Sequence, residues 1–340
     1  MYLKRMFKYF LPLFILGFSL LVSSCDIKQS TLGAQHRIFV VADSLLWMDV
    51  KDAVKEVFEQ DIIAPHPEKS YHITWIPLND LNAFNDRMNL VFLGISGGET
   101  DVDVFLDKSL PQTFTSGVKE GNYFYSFSDD MYARDQIGLI MMAGSVAEFK
   151  ERFASHRKEI FDAFTEKYYA RLEKTMFERD ENKKVQDFLT EHYGWEMKLQ
   201  LDYFIAQQDI DNKYVWLRRI NPNRWLSVWE LQADSALLTQ ENLINVRNKM
   251  ARTYYQGDVV TDDEMLFEDV DFNGQSAKKL TGLWKNDSLM VGGPFRLYAW
   301  YDQAREKMHF IDIVVMAPSK DKKPFLDQLE VIAHTFRVVE

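Results

Sequence analysis

The sequence predicts an α+β protein of two domains. Residues 36–180 read as an N-terminal α/β layer with a partly parallel sheet, and residues 181–340 as a C-terminal antiparallel sheet with packed helices. Three observations carry this. In the first half, short β-branched and aromatic runs alternate with apolar stripes of helical period, the rhythm of strands joined by crossover helices. In the second half such runs follow one another with only single helices between them, as in hairpins with helices packed on the sheet. Between the halves lies the charged run Glu178 to Lys184 (ERDENKK), after an apolar stripe about 30 residues long.

His36 to Ala42, Tyr71 to Leu78, Leu90 to Ile95 and Gln136 to Ala143 are the strands of the first half by their Ile, Val, Phe and Leu content. Asp43 and Ser44 can cap a helix, and Trp47, Val50, Val54, Val57, Phe58 and Ile62 recur at three and four to give it one apolar face. Gly97-Gly98 closes the third strand, and the stretch up to residue 135 reads as loop-rich, with one short strand at Tyr123 to Phe127. The stripe Val146, Phe149, Phe153, Ile160, Phe164, Tyr168, Leu172 and Met176 predicts one long helix or two stacked ones, bridging or broken.

In the second half Trp195 to Ala206 alternates, with Trp195, Met197, Leu199 and Leu201 on one face. Tyr214 to Arg219 and Arg224 to Leu231 form a hairpin around Asn221-Pro222-Asn223. Leu243, Val246, Met250 and Tyr254 mark a helix. Ala277 to Trp284, Phe295 to Tyr301 and His309 to Met316 are three further strands, and Phe325, Leu329, Ile332 and Phe336 a closing helix.

The amino terminus carries the most specific motif. Lys4, Arg5 and Lys8 precede an apolar run from Tyr9 to Val22, and Val22-Ser23-Ser24-Cys25 follows. A basic, then apolar, then small-residue order is a secretory signal, and about 14 apolar residues fall short of the roughly 20 that span a bilayer. The motif resembles a bacterial lipobox, which implies removal of residues 1–24, lipidation of Cys25 and a tether over residues 25–35. A multiply acylated cysteine would hold the protein on a membrane stably. Asp26 after the cysteine is an inner-membrane signal under the enterobacterial rule. The reading nevertheless favours the outer membrane of a Gram-negative envelope.

Composition narrows the function classes. Removal of three basic residues takes the net charge from −11 to −14, which should repel nucleic acid and anionic headgroups. Cys25 is the one cysteine, so the fold must stand without disulfides. Aromatics at 14 % argue for large cores and against disorder.

No catalytic, cofactor-binding or metal-binding residue is assigned. The histidines His36, His66, His72, His156, His192, His309 and His334 show no metal-ligand spacing. Gly292-Gly293-Pro294 precedes a strand and reads as a tight turn. Glu99, Asp101 and Asp103 alternate and would share one face of an extended segment. A solvated edge is the plain reading; carboxylate pairing there would be the chemistry of a hydrolase on envelope glycans. Six of the eight tryptophans (Trp195, Trp216, Trp225, Trp229, Trp284, Trp300) fall in the second half and read as a bulky core. Should a partner surface exist, it is placed on Trp225 and Trp229, which share a strand face with Ser227, and on Arg224 beside Arg218 and Arg219. Asp43-Ser44-Leu45, Asp234-Ser235-Ala236 and Asp287-Ser288-Leu289 resemble the O-glycosylation acceptor of some Gram-negative envelopes.

The Asp43–Trp47 helix start, Tyr214 to Leu231 with Trp225 and Trp229, and Gly282-Leu283-Trp284 followed by Gly292-Gly293-Pro294-Phe295 together resemble domain of unknown function 4837 (DUF4837), an uncharacterised bacterial lipoprotein family, over nearly all of the chain after Cys25. The resemblance implies no activity. More weakly, the second half resembles PsbP-like domains, ending in Thr335-Phe336. The expected role is a membrane-tethered binding or scaffolding protein for an envelope protein or glycan, with the glycan hydrolase as the alternative.

Overall fold

The computed structural model describes residues 28–339, so the lipobox, Cys25 and the start of the tether lie outside the described residues. The first sheet is built from β1 (Arg37–Val41), β2 (His72–Ile76), β3 (Asn89–Ile95), β4 (Tyr125–Asp129) and β5 (Ile137–Ala143), in the order β2-β1-β3-β5-β4. The first four are parallel and β4 is an antiparallel edge strand. Crossover helices cover both faces, which is why β1, β3 and β5 are apolar throughout rather than alternating. Ile38, Val40, Val91, Leu93, Leu139 and Met141 pack under α1 (Ser44–Phe58) and α4 (Val146–Phe177). Their neighbours Phe39, Val41, Leu90, Phe92 and Met142 pack under α2 (Asp101–Ser109) and α3 (Gln112–Lys119).

Helix α1 starts as expected, with the Asp43 carboxylate accepting from Leu45 N–H at 2.9 Å. Ile62 does not continue its stripe; it lies past the helix end, in the two-residue ribbon Asp61–Ile62 with Glu68–Lys69. The stretch read as loop-rich holds α2 and α3. Both are short and flanked by Gly97, Gly98 and Pro111, so their apolar stripes span too few turns to stand out.

Helix α4 is unbroken over 32 residues, about 48 Å long at 1.5 Å per residue. It bridges two cores. Phe149, Phe153, Ile160 and Phe164 enter the first, while Met176, Leu172 and Phe177 enter the second. The charged run after it is where the chain turns into α5 (Lys183–Tyr193), whose start is capped by Asn182.

The second sheet comprises β6 (Phe204–Asp209), β7 (Tyr214–Arg219), β8 (Asn223–Leu231), β9 (Leu266–Phe272), β10 (Gln275–Asn286), β11 (Val291–Asp302), β12 (Lys307–Met316) and the short strand Val259–Val260. Its pairings are antiparallel, along β10-β11-β12-β8-β7-β6 with β9 on β10. The single strand expected over Trp195 to Ala206 is instead a two-residue ribbon, Trp195–Glu196 with Arg337–Val338, then a loop, then β6. Leu199 is buried in that loop and Leu201 points to solvent, so alternation there came from an irregular chain.

Both faces of this sheet are covered. Helix α6 (Gln240–Tyr254) lies on one, and α5, α7 (Lys323–Ala333) and the end of α4 on the other.

Candidate functional site

A cavity of about 800 Å³ opens where the two units meet. Its walls are α4 from Thr165 to Glu173, the start of α5, the Trp195–Glu196 ribbon, strands β10 and β11, and the end of α7. A volume of this order suits a small-molecule or peptide ligand.

Glu330 sits behind one wall and is buried. Helix α7 is apolar at Leu326, Leu329 and Ile332, which sets the helix on the sheet and turns Asp327 and Glu330 toward neighbouring elements. Strand alternation places Arg296 and Tyr298 on the same face of β11, and Lys279 stands opposite Tyr298 on β10. The Glu330 Oε1 accepts from Lys279 Nζ at 2.9 Å and from Arg296 Nη1 at 2.6 Å, while Oε2 accepts from the Tyr298 hydroxyl at 2.5 Å. Burial alone would raise the Glu330 pKa, but the Lys279 and Arg296 charges and the Tyr298 hydroxyl hold it well below the usual carboxylate range. Burial lowers the Lys279 pKa against the pull of Glu330, and burial beside Glu330 pushes the Tyr298 phenol well up.

Asp327, one turn earlier, ties the units together. It accepts from the Tyr168 hydroxyl at 2.7 Å, the Tyr169 hydroxyl at 3.2 Å and Lys323 Nζ at 2.5 Å. Glu68 of the first unit accepts the N–H groups of Lys322 and Lys323 at 2.8 Å, satisfying free donors at the start of α7. The rim carries three more pairs: Lys198 with Glu173 at 3.1 Å, Lys183 with Glu181 at 2.8 Å, and Arg337 with Glu196. Tyr169, Met197 and Val331 supply apolar wall, and burial lowers the pKa of His334 at the mouth. The lysines and the arginine on the wall each face an acid, and Glu330 stays ionised. The wall of the cleft thus presents paired charges beside apolar surface.

None of this was singled out in the sequence. The available signal was a strand reading Phe-Arg-Leu-Tyr, whose polar positions face a helix bearing Asp327 and Glu330, but pairing across about 30 to 50 residues is not periodic.

The residues that the sequence did single out lie elsewhere. Trp225 and Trp229 do share a face, and α6 covers it. Trp225 is 4 % exposed and packs against Trp216, Tyr255 and Trp284; Trp229 is 0 % exposed and stacks on Phe310 at 5.1 Å. Ser227 is buried beside them and meets the Tyr214 hydroxyl at 3.3 Å. Arg224, on the opposite face, is buried under α7, bonded to Gln328 and lying over the Phe325 ring. Trp225, Trp229 and Arg224 are core, not a partner surface, because helices cover both faces of their strand.

Asp101 and Asp103 are also corrected: they occupy the first turn of α2, not an extended edge. Asp103 is buried in a capping box with Thr100 and accepts from Ile95 N–H at 2.6 Å. His309 lies inside the second sheet, stacked on Trp300 at 5.2 Å. Among the described residues no cluster of three or more His, Cys, Asp or Glu could hold a metal ion. Ser44, Ser235 and Ser288 of the three Asp-Ser triplets are exposed.

The architecture is thus an α/β unit joined through one long helix to an α+β unit, with a charge-paired cleft at the junction. Residues 181–335, which make up the C-terminal unit, match the family model Domain of unknown function (DUF4837). Residues 31–177 match a different model, Domain of unknown function (DUF8532). The expectation that the first family covers nearly the whole chain is corrected accordingly. No curated protein matches the chain. Among solved structures, a point mutant of protein Mog1 is 13 % identical over 43 % of this chain and 92 % of its own, with a TM-score of 0.30. The Saccharomyces cerevisiae Ran-binding protein Mog1p is 12 % identical over 43 % and 91 %, again with a TM-score of 0.30. Likeness at that level assigns this chain neither a partner nor a fold.

Proposed function

We propose that the protein is a lipid-anchored envelope protein, tethered through Cys25 to the outer membrane, whose folded body binds a peptide or glycan component of the envelope in the cleft at the junction of its two units. The observation that carries the reading is the cleft itself: about 800 Å³, walled by both units, with its lysines and Arg337 already paired to acids. Binding there asks only for polar and apolar complementarity. The signal and lipobox pattern at residues 4–25 supports the tether, and no described helix is long and apolar enough to cross a membrane.

The test is an NMR titration of the protein with purified envelope peptides and glycan fragments. Shifts concentrated at Tyr169, Met197, Lys198 and His334 are expected, without turnover of the fragment. Cleavage of the glycan would replace binding with hydrolysis, and shifts scattered away from the cleft would overturn the site. For the anchor, labelled fatty acid should be incorporated by the natural protein and not by Cys25→Ser.

A further inference from the structure

A second cavity, about 570 Å³, lies on the amino-terminal side of the first sheet, between the end of α4, the chain around Ser30 and the loop before β5. Arg171 lines it and is only 6 % exposed. An arginine this deep ordinarily faces a carboxylate, because an uncompensated buried charge costs several kcal/mol. Arg171 does not. Its Nη2 donates to Asn89 Oδ1 at 2.9 Å, while Nε and Nη1 find no partner among the described residues.

The guanidinium is nevertheless held in place. Asn89 is itself buried and its amide donates to the carbonyls of Gln35 at 2.7 Å and Arg37 at 2.9 Å, which fixes its oxygen toward Arg171. Burial lowers the Arg171 pKa, against the more distant pull of the Tyr71, Asp135 and Asp129 groups. The acids nearest the cavity are committed or peripheral: Asp135 binds Lys174 at 3.1 Å, and no ion pair joins Asp130 or Glu178 to Arg171. Arg134, bonded to Ser30 Oγ at 3.0 Å, adds a second cation, and the Thr31 and Thr175 hydroxyls complete a polar rim.

We propose that this cavity is a binding site for a small oxyanion, a carboxylate or phosphate group, received by the Arg171 guanidinium with Arg134 and the hydroxyl rim around it. The unpartnered Nε and Nη1 lie on different edges of the guanidinium, so each can offer such a group a charge-assisted hydrogen bond. The site is separate from the cleft at the junction, so its failure would leave that reading standing.

The test is calorimetric titration of the full-length protein in neutral detergent with sodium phosphate and with sodium acetate, at constant ionic strength. Saturable binding of at least one anion is expected. Arg171→Lys, which keeps the charge but not the planar set of donors, should weaken it tenfold or more. Should that variant fail to fold, Thr175→Glu decides. Thr175 is exposed, one turn after Arg171 on α4, so a carboxylate there can reach the guanidinium from within. That variant should keep its fold, melt no lower than the natural protein and lose the anion response. Absence of saturable binding by either anion, or binding that survives Thr175→Glu unchanged, would overturn the site.

Discussion

The two sheets place their buried polar groups differently. In the parallel sheet the strand middles are apolar on both faces; Asn89, Asp103 and Gln136 lie at strand ends or in a first helical turn, and Arg171 lies within α4, beyond the strand starts. In the antiparallel sheet charges also sit mid-strand, the buried Asp312 in β12 and the largely covered Arg296 in β11, each answered by a residue on a covering helix. A parallel sheet between crossover helices has no solvated face on which a polar side chain can rest. In the antiparallel sheet, alternation lets one inward position be charged at small cost to its neighbours, provided the helix above supplies the counter-charge.

That counter-charge is complete at one place and incomplete at the other. Glu330 meets three donors. Arg247 on α6 and Asp312 beneath it, both fully buried, share one hydrogen bond at 3.0 Å, leaving Arg247 Nη1 and Nη2 and Asp312 Oδ2 without partners, although the guanidinium lies over the Phe295 ring at 4.0 Å. The largest expected effect follows. Arg247→Met should destabilise by about 3–5 kcal/mol, because it strands a buried carboxylate, whereas Arg247→Met with Asp312→Leu should recover most of that loss. Urea unfolding of the two variants checks this, and a double variant as unstable as the single one would break the contrast.

Trp225→Ala and Trp229→Ala should each cost about 3–5 kcal/mol, since both rings fill the core under α6. A melting temperature unchanged by either would return these rings to the surface.

Acid should separate the two charged groups by sign. Burial, outweighing Arg247, raises the Asp312 pKa to about 6, so the folded state takes up this proton more readily than the unfolded chain. Its contribution therefore declines as pH rises from about 4 to 6. Glu330 is shifted the other way, and its contribution is present above the ordinary glutamate pKa and lost as pH falls below it. Relative to the natural protein, the stability deficit of Glu330→Gln should begin to shrink as pH falls from about 4 toward 3. Asp312→Asn should compare more favourably at pH 7 than at pH 4. Thermal melts across that range measure both.

The smallest effect belongs to the parallel unit. Thr100→Ala removes the cap of α2 and should cost about 1 kcal/mol, read as a drop of a few degrees in melting temperature.

Much of the framework was legible in the residues themselves. The apolar runs of β1, β3 and β5, the Asp43 cap, the stripe of α4 and the break after Phe177 are local patterns, set by which side chains recur along a few turns or a few pleats. Helices α2 and α3 and strand β9 were not legible: the first two are short, and Leu266 to Phe272 carries three acids at exposed positions, which mask its alternation. The hydrophobic content of Trp225 and Trp229 was evident from the sequence, but whether a helix lies over them was not. Nor could the sequence bring Glu330 to Lys279 and Arg296, or leave Arg171 facing Asn89 instead of an acid. Periodicity along a chain says which side of an element is apolar. Only the packing of one element on another decides which polar group meets which, and it is those meetings that make the cleft and the Arg171 cavity.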